Sequence, residues 1–165
     1  MIIRRFDNLK IWKIDNSTIG LYKAYAEYKI DSLTFFTLGR QELKYDNQRM
    51  LGVRNWGNTG LTYDAFVFKT SIKGFNLHAG LTWNNSVEAY SSNLYPSSRI
   101  KTQNFIWLNK KYKDLNVSLI QMFDGITQSD TSNVLYMKQT SGIYATYKIK
   151  DFSIEGDYYY QWGQN

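Results

Sequence analysis

The chain has 165 residues, a formal net charge of +6, 17% Phe, Trp and Tyr, one proline and no cysteine. That length fits one domain, the lack of cysteine excludes a disulfide framework or thiolate metal site, and no run of about 18 apolar residues supplies a transmembrane helix. A mean hydropathy of −0.47 leaves a transmembrane β-barrel open, since half of each strand faces water. The basic residues are spread from Arg4 to Lys150 with acids between them, which argues against a nucleic-acid patch.

In chain order the pattern predicts eight strands, at residues 17–30, 33–45, 61–73, 75–90, 101–112, 115–123, 134–149 and 152–163. The first sets Tyr22, Ala24, Ala26, Tyr28 and Ile30 against Lys23, Tyr25, Glu27 and Lys29. In the second, Arg40, Glu42 and Lys44 are expected to share one face, with Leu43 and Tyr45 on the other. The third and fifth are apolar on both faces, at Phe66-Val67-Phe68 and Phe105-Ile106-Trp107-Leu108. The fourth alternates cleanly, with Phe75, Leu77, Ala79, Leu81 and Trp83 opposing Asn76, His78, Gly80, Thr82 and Asn84. The sixth sets Leu115, Val117 and Leu119 against Asn116 and Ser118, and the eighth sets Phe152, Ile154, Gly156, Tyr158, Tyr160 and Trp162 against Ser153, Glu155, Asp157, Tyr159 and Gln161.

Asp31-Ser32, Lys73-Gly74, Lys113-Asp114 and Lys150-Asp151 read as two-residue hairpin turns. Polar loops at about 46–60, 91–100 and 124–133 alternate with them. Short turns at one end and long loops at the other are the layout of an up-and-down membrane barrel. Aromatics mark both ends: Tyr28, Phe75, Tyr112, Tyr147 and Phe152 beside the turns, and Tyr45, Tyr63, Trp83, Tyr90, Phe123, Tyr136 and Trp162 towards the loops. Two such belts fit rings resting at headgroup level. The expected fold is therefore all-β, a transmembrane antiparallel up-and-down barrel in one region spanning residues 1–165, with outer-membrane lipid as a partner. A complete eight-stranded barrel for adhesion or anchoring, and a soluble sugar- or lipid-binding barrel, are the alternatives.

Residues 21–65 resemble the alginate export family of outer-membrane porins, in its Bacteroidetes-type branch. The resemblance runs through Leu21-Tyr22-Lys23-Ala24-Tyr25-Ala26-Glu27-Tyr28, Gly39-Arg40-Gln41-Glu42-Leu43-Lys44-Tyr45-Asp46, Arg49-Met50-Leu51-Gly52, Asn55-Trp56 and Gly60-Leu61-Thr62-Tyr63-Asp64-Ala65. Thr62-Tyr63-Asp64 stands where the family carries a basic residue after the glycine. The resemblance implies a passive bacterial outer-membrane channel of about 18 strands, of which this chain supplies about eight. Its implied partners are an anionic polysaccharide or other anionic solute and periplasmic export partners. The opening Met1-Ile2-Ile3-Arg4-Arg5-Phe6-Asp7 has no signal-peptide pattern, and the chain is expected to be a partial-length piece.

In such a pore, basic side chains lower the barrier to an entering anion. Arg40 is the first candidate for the lumen, because a guanidinium grips carboxylates in two-pronged geometry. Glu42 is expected to hold Arg40 and Lys44 in place. Arg49 guides the loop inward, Lys23, Lys69 and Lys138 add lumen cations, and Asp46 and Asp64 pair with Arg49 or Arg54. Glu155 and Asp157, about 7 Å apart on one strand face, are read as a solvated row rather than a glycosidase pair. His78 is the only histidine, so neither a catalytic triad nor a histidine metal cluster can be built around it. No enzyme activity, cofactor or metal is expected.

Overall fold

Strand residues that alternate in polarity, punctuated by turns, produce here one long antiparallel meander. The computed structural model describes residues 11–14, 18–54, 60–84, 100–129 and 134–163, with side chains from Tyr22 onward. A two-stranded hairpin, β1 (Ile11–Ile14) and β2 (Thr18–Leu21), precedes the main sheet. The main sheet holds eight strands in sequence order: β3 (Ala24–Lys29), β4 (Thr34–Gln41), β5 (Tyr63–Ile72), β6 (Phe75–Thr82), β7 (Ile100–Tyr112), β8 (Leu115–Thr127), β9 (Leu135–Ile149) and β10 (Phe152–Gly163). Among the described residues the sheet does not close, and β3 and β10 are its edges.

The eight predicted strands correspond to β3–β10, with informative differences. Segment 17–30 breaks at Tyr22-Lys23 into β2 and β3, so only its second half joins the sheet. The second strand stops at Gln41 rather than residue 45, and the sixth continues to Thr127. The fourth ends at Thr82, and residues 85–90 of its predicted span lie outside the described residues. Lys73-Gly74, Lys113-Asp114 and Lys150-Asp151 do form two-residue turns, each with its lysine in the left-handed region (φ 51°). The Asp31-Ser32 connection is wider than predicted. Residues 30–33 bridge β3 and β4, and Asp31 Oδ1 accepts the Leu33 amide at 2.7 Å.

Register assigns the two faces. One row runs Leu108, Leu119, Ile143 and Tyr158 across β7 to β10, and the next row runs Trp107, Ile120, Gly142 and Tyr159. The first row belongs to an outer face that exposes large apolar side chains, among them Leu38, Phe66, Leu81, Ile106, Leu119, Ile143 and Tyr158. Tyr28, Phe75, Tyr112, Tyr147 and Phe152 form an exposed aromatic rim at the tight-turn end, as predicted. At the loop end Trp83 and Trp162 are exposed, but Tyr45 and Tyr63 are buried in the core and do not belong to a belt; Tyr90 lies outside the described residues.

The core sits on the opposite, inner face, and it is made by the chain that leaves β4. Gln41 turns back at the strand end, its Nε2 donating to the Ala65 carbonyl at 3.0 Å and its Oε1 accepting from Thr37 Oγ1 at 2.7 Å. Residues 42–54 then cross the inner face as a strap. Leu43, Tyr45 and Leu51 insert among Ala65, Val67, Phe105, Ile120 and Met122, and Leu51 is fully buried. Each such side chain contributes about 1.5–3 kcal/mol of burial. This explains why the third and fifth predicted strands are apolar on both faces: Val67 and Phe105 meet the strap, while Phe66 and Ile106 face outward.

Gly39 and Gly80 are close approaches. Gly39 has φ 127°, and a Cβ there would collide with the Ala24 carbonyl and the Tyr25 backbone of β3. A Cβ at Gly80 would run into the Phe105 ring. The unusual backbone region at Gly39 costs a residue with a side chain about 1–3 kcal/mol, before any clash. Gly39→Ala is expected to lower the unfolding free energy by at least that amount and unzip β3 from β4. Hydrogen exchange should then accelerate at Ala24–Lys29 while β7–β9 stay protected, and unchanged exchange in β3 would contradict this role.

Candidate functional site

The inner face carries the polar and charged groups, and the strap organises them. Tyr45 O accepts the Gln48 amide at 2.8 Å, and the Tyr45 amide donates to Leu51 O at 3.2 Å, so residues 45–51 close on themselves. Asp46 and Gln48 take left-handed conformations (φ 48° and 63°) inside this turn, a region that aspartate tolerates better than most residues. The Asp46 carboxylate accepts from Trp107 Nε1 at 3.0 Å and from the Ser118 hydroxyl, fixing the strap to β7 and β8. At its tip, Arg49 Nη1 meets Asp157 Oδ1 of β10 at 3.0 Å and Asn47 Nδ2 donates to Asp157 Oδ2 at 2.7 Å. The strap therefore spans from β4 to the far edge strand.

The predicted site residues are distributed differently from their expected row. Arg40 lies on the outer face, in register with Ala24 and Asp64, and its guanidinium grips Asp64 through Nε (2.8 Å) and Nη2 (2.9 Å). Glu42 turns inward, where it accepts from Lys23 Nζ at 2.6 Å and Tyr22 OH at 2.7 Å. Burial first, and then the Glu42 carboxylate, raises the Tyr22 phenol to about 12, so it remains a donor at neutral pH. Lys23, Glu42 and Lys69 line one polar hollow together with Glu27. Lys44 is exposed beside a second hollow, and Lys138 stands opposite Asp124 in the β8–β9 register.

The expected pairing of Asp46 and Asp64 with Arg49 or Arg54 is corrected by these contacts. Asp64 pairs with Arg40, Arg49 with Asp157, and Asp46 with Trp107 and Ser118, while Arg54 is exposed. The early end of β4 is the reason, because it turns the following residues across the sheet instead of outward as a loop root. Glu155 accepts from Tyr144 OH at 2.9 Å and Asp157 is held by the strap, so both acids have structural partners. The inner face mixes both signs.

The second hollow escaped the sequence reading. It is a cavity of about 380 Å³ beneath the strap, lined by Lys44, Tyr45, Asp46, His78, Trp107, Asn109, Asn116, Tyr144 and Thr146. His78 Nδ1 lies 3.1 Å from Tyr45 OH. The Tyr45, His78 and Trp107 rings pack at 4.9–5.5 Å between centroids. Burial, then the neighbouring Asp46 charge, pushes the Tyr45 phenol up, keeping it neutral. The available signal was the run of apolar residues on the inward side of the fifth strand, which needs a cover.

The eight strands thus form an all-β, open antiparallel meander with apolar side chains exposed on its outer face and a strap crossing its inner one. A family model described as alginate export matches residues 3–165. The chain belongs to the alginate export family, a transport family. No curated protein and no solved structure matches it.

Proposed function

We propose that the protein forms part of the wall of a passive outer-membrane channel for polysaccharide or oligosaccharide, with a preference for anionic chains. The observation that carries this reading is the inverted polarity of the sheet. Its outer face exposes Leu38 (59%), Leu81 (60%) and Ile154 (61%), with one ion pair, Arg40–Asp64, while the Lys23–Glu42 and Arg49–Asp157 pairs lie on the inner face beside the strap-covered core. A contiguous apolar exterior of that extent needs a nonaqueous partner, and family membership supports the bilayer. No helix among the described residues is long and apolar enough to cross a membrane, which leaves strands to do so. The open edges of β3 and β10 suit pairing with further strands of a larger barrel.

Within this reading Lys44 is the favoured selectivity residue, because it is exposed on the strap and no described residue pairs with it. Arg40 serves the outer rim instead, tied to Asp64. Reconstitution into planar bilayers tests both statements. Discrete conductance steps with an anion-favouring reversal potential are expected. Lys44→Gln should shift that potential towards cation preference, and Arg40→Ala should leave it within error. A detergent-free, soluble monomer giving no conductance would remove the channel reading.

A further inference from the structure

The cavity beneath the strap differs in character from an anion filter. Its one cation, Lys44, is offset by the Asp46 carboxylate in the same wall. Asp46 already accepts from Trp107 and Ser118, so it is fixed in place. What remains is a set of ring faces and edges flanked by amides and a hydroxyl. Asn109 Nδ2 donates to Asn116 Oδ1 at 2.8 Å and to Val117 O at 3.1 Å, which holds the amide pair rigid. The cavity lies between the strap and the rows of Asn109 and Asn116, on the side of the Lys113-Asp114 turn.

We propose that this chamber is a binding subsite for a pyranose ring, gripped by its uncharged faces and hydroxyl edge rather than by a charged substituent. A pyranose presents C–H bonds on its face and hydroxyls on its rim. The first match the aromatic walls of Trp107 and Tyr144, and the second match the Asn116 amide, held in place by Asn109, and the Thr146 hydroxyl. At about 380 Å³ the space falls at the lower end of ligand pockets, roughly 300–1,000 Å³, suited to a sugar unit rather than a long chain. The inference rests on the oligosaccharide-channel reading for its biological setting, but the chamber's chemistry predicts neutral-sugar binding by itself.

The test is a tryptophan-fluorescence titration of the detergent-solubilised protein with the neutral probe maltohexaose, run beside bilayer conductance. Maltohexaose should change the emission saturably. Tyr144→Leu should raise the half-saturating concentration about five- to tenfold, the weight of one lost aromatic contact. Asn116→Ala should raise it as well, which guards against a folding defect in the first variant, and Arg40→Ala, on the outer face away from the cavity, should leave it unchanged. Conductance with no saturable maltohexaose response overturns the subsite while the channel stands. A saturable response without conductance sinks the channel and keeps the subsite. Binding of an acidic oligouronate alone, lost in Lys44→Gln, also overturns the proposal, because charge would then be the grip.

Discussion

Leu119→Lys is expected to cost about 2–4 kcal/mol of folding stability in lipid, the value for a lysine near the bilayer midplane on a barrel's outer face. Leu119 lies mid-strand in β8, 48% exposed, between Leu108 and Ile143 in the outer row. In water the same substitution replaces an exposed apolar group with a solvated one and changes stability by about 0.5 kcal/mol or less. The two environments thus predict different magnitudes at one position. Denaturant unfolding of vesicle-folded protein reads the difference directly. Ser153→Lys, exposed on the inner side of β10, supplies the control and should change stability by about 0.5 kcal/mol or less. Equal, small effects at both positions would show that the outer face does not meet lipid.

That test relies on a face assignment the sequence made legible only in part. Strict alternation in residues 75–83 and 152–162 revealed both the strands and their apolar side, since a period of two needs no tertiary information. The lysine-led turns were readable for a similar reason, being local. The row Arg40-Glu42-Lys44 misled because alternation holds only while the strand lasts. Gln41 ends β4 with a bond across to Ala65, 24 residues away, supported by a local one to Thr37, and nothing in the alternating pattern announces the first. Once the strand stops, Arg40 stays outside while Leu43 and Tyr45 enter the core. The strap's partners, Trp107, Ser118 and Asp157, lie 61 to 110 residues from the strap residues that bind them. Such contacts depend on sheet curvature, which a periodic pattern does not encode. The doubly apolar fifth strand did carry a trace of the strap, as a demand for cover on its inner side.

Asp46→Ala is expected to release that strap and open the lumen. Asp46 holds two donors, Trp107 Nε1 and the Ser118 hydroxyl, against the inner face. Stranding each buried donor costs about 1–3 kcal/mol, and alanine at φ 48° adds about 1–2 kcal/mol of backbone strain. A total of roughly 4 kcal/mol lowers the docked-to-released ratio about a thousandfold. Leu43 and Leu51 remain to hold the strap, while the exposed Arg49–Asp157 pair contributes at most about 1 kcal/mol. Single-channel conductance should rise and become noisier, with protease cleavage appearing within residues 46–50. Two companion variants separate the causes. Asp46→Asn keeps an acceptor and tolerates the left-handed backbone, so it should stay close to the parent. Asp46→Gly relieves the strain but loses both bonds, and it should behave like alanine. If glycine instead matched asparagine, backbone strain rather than the Trp107–Asp46–Ser118 contact would be what the alanine variant reports.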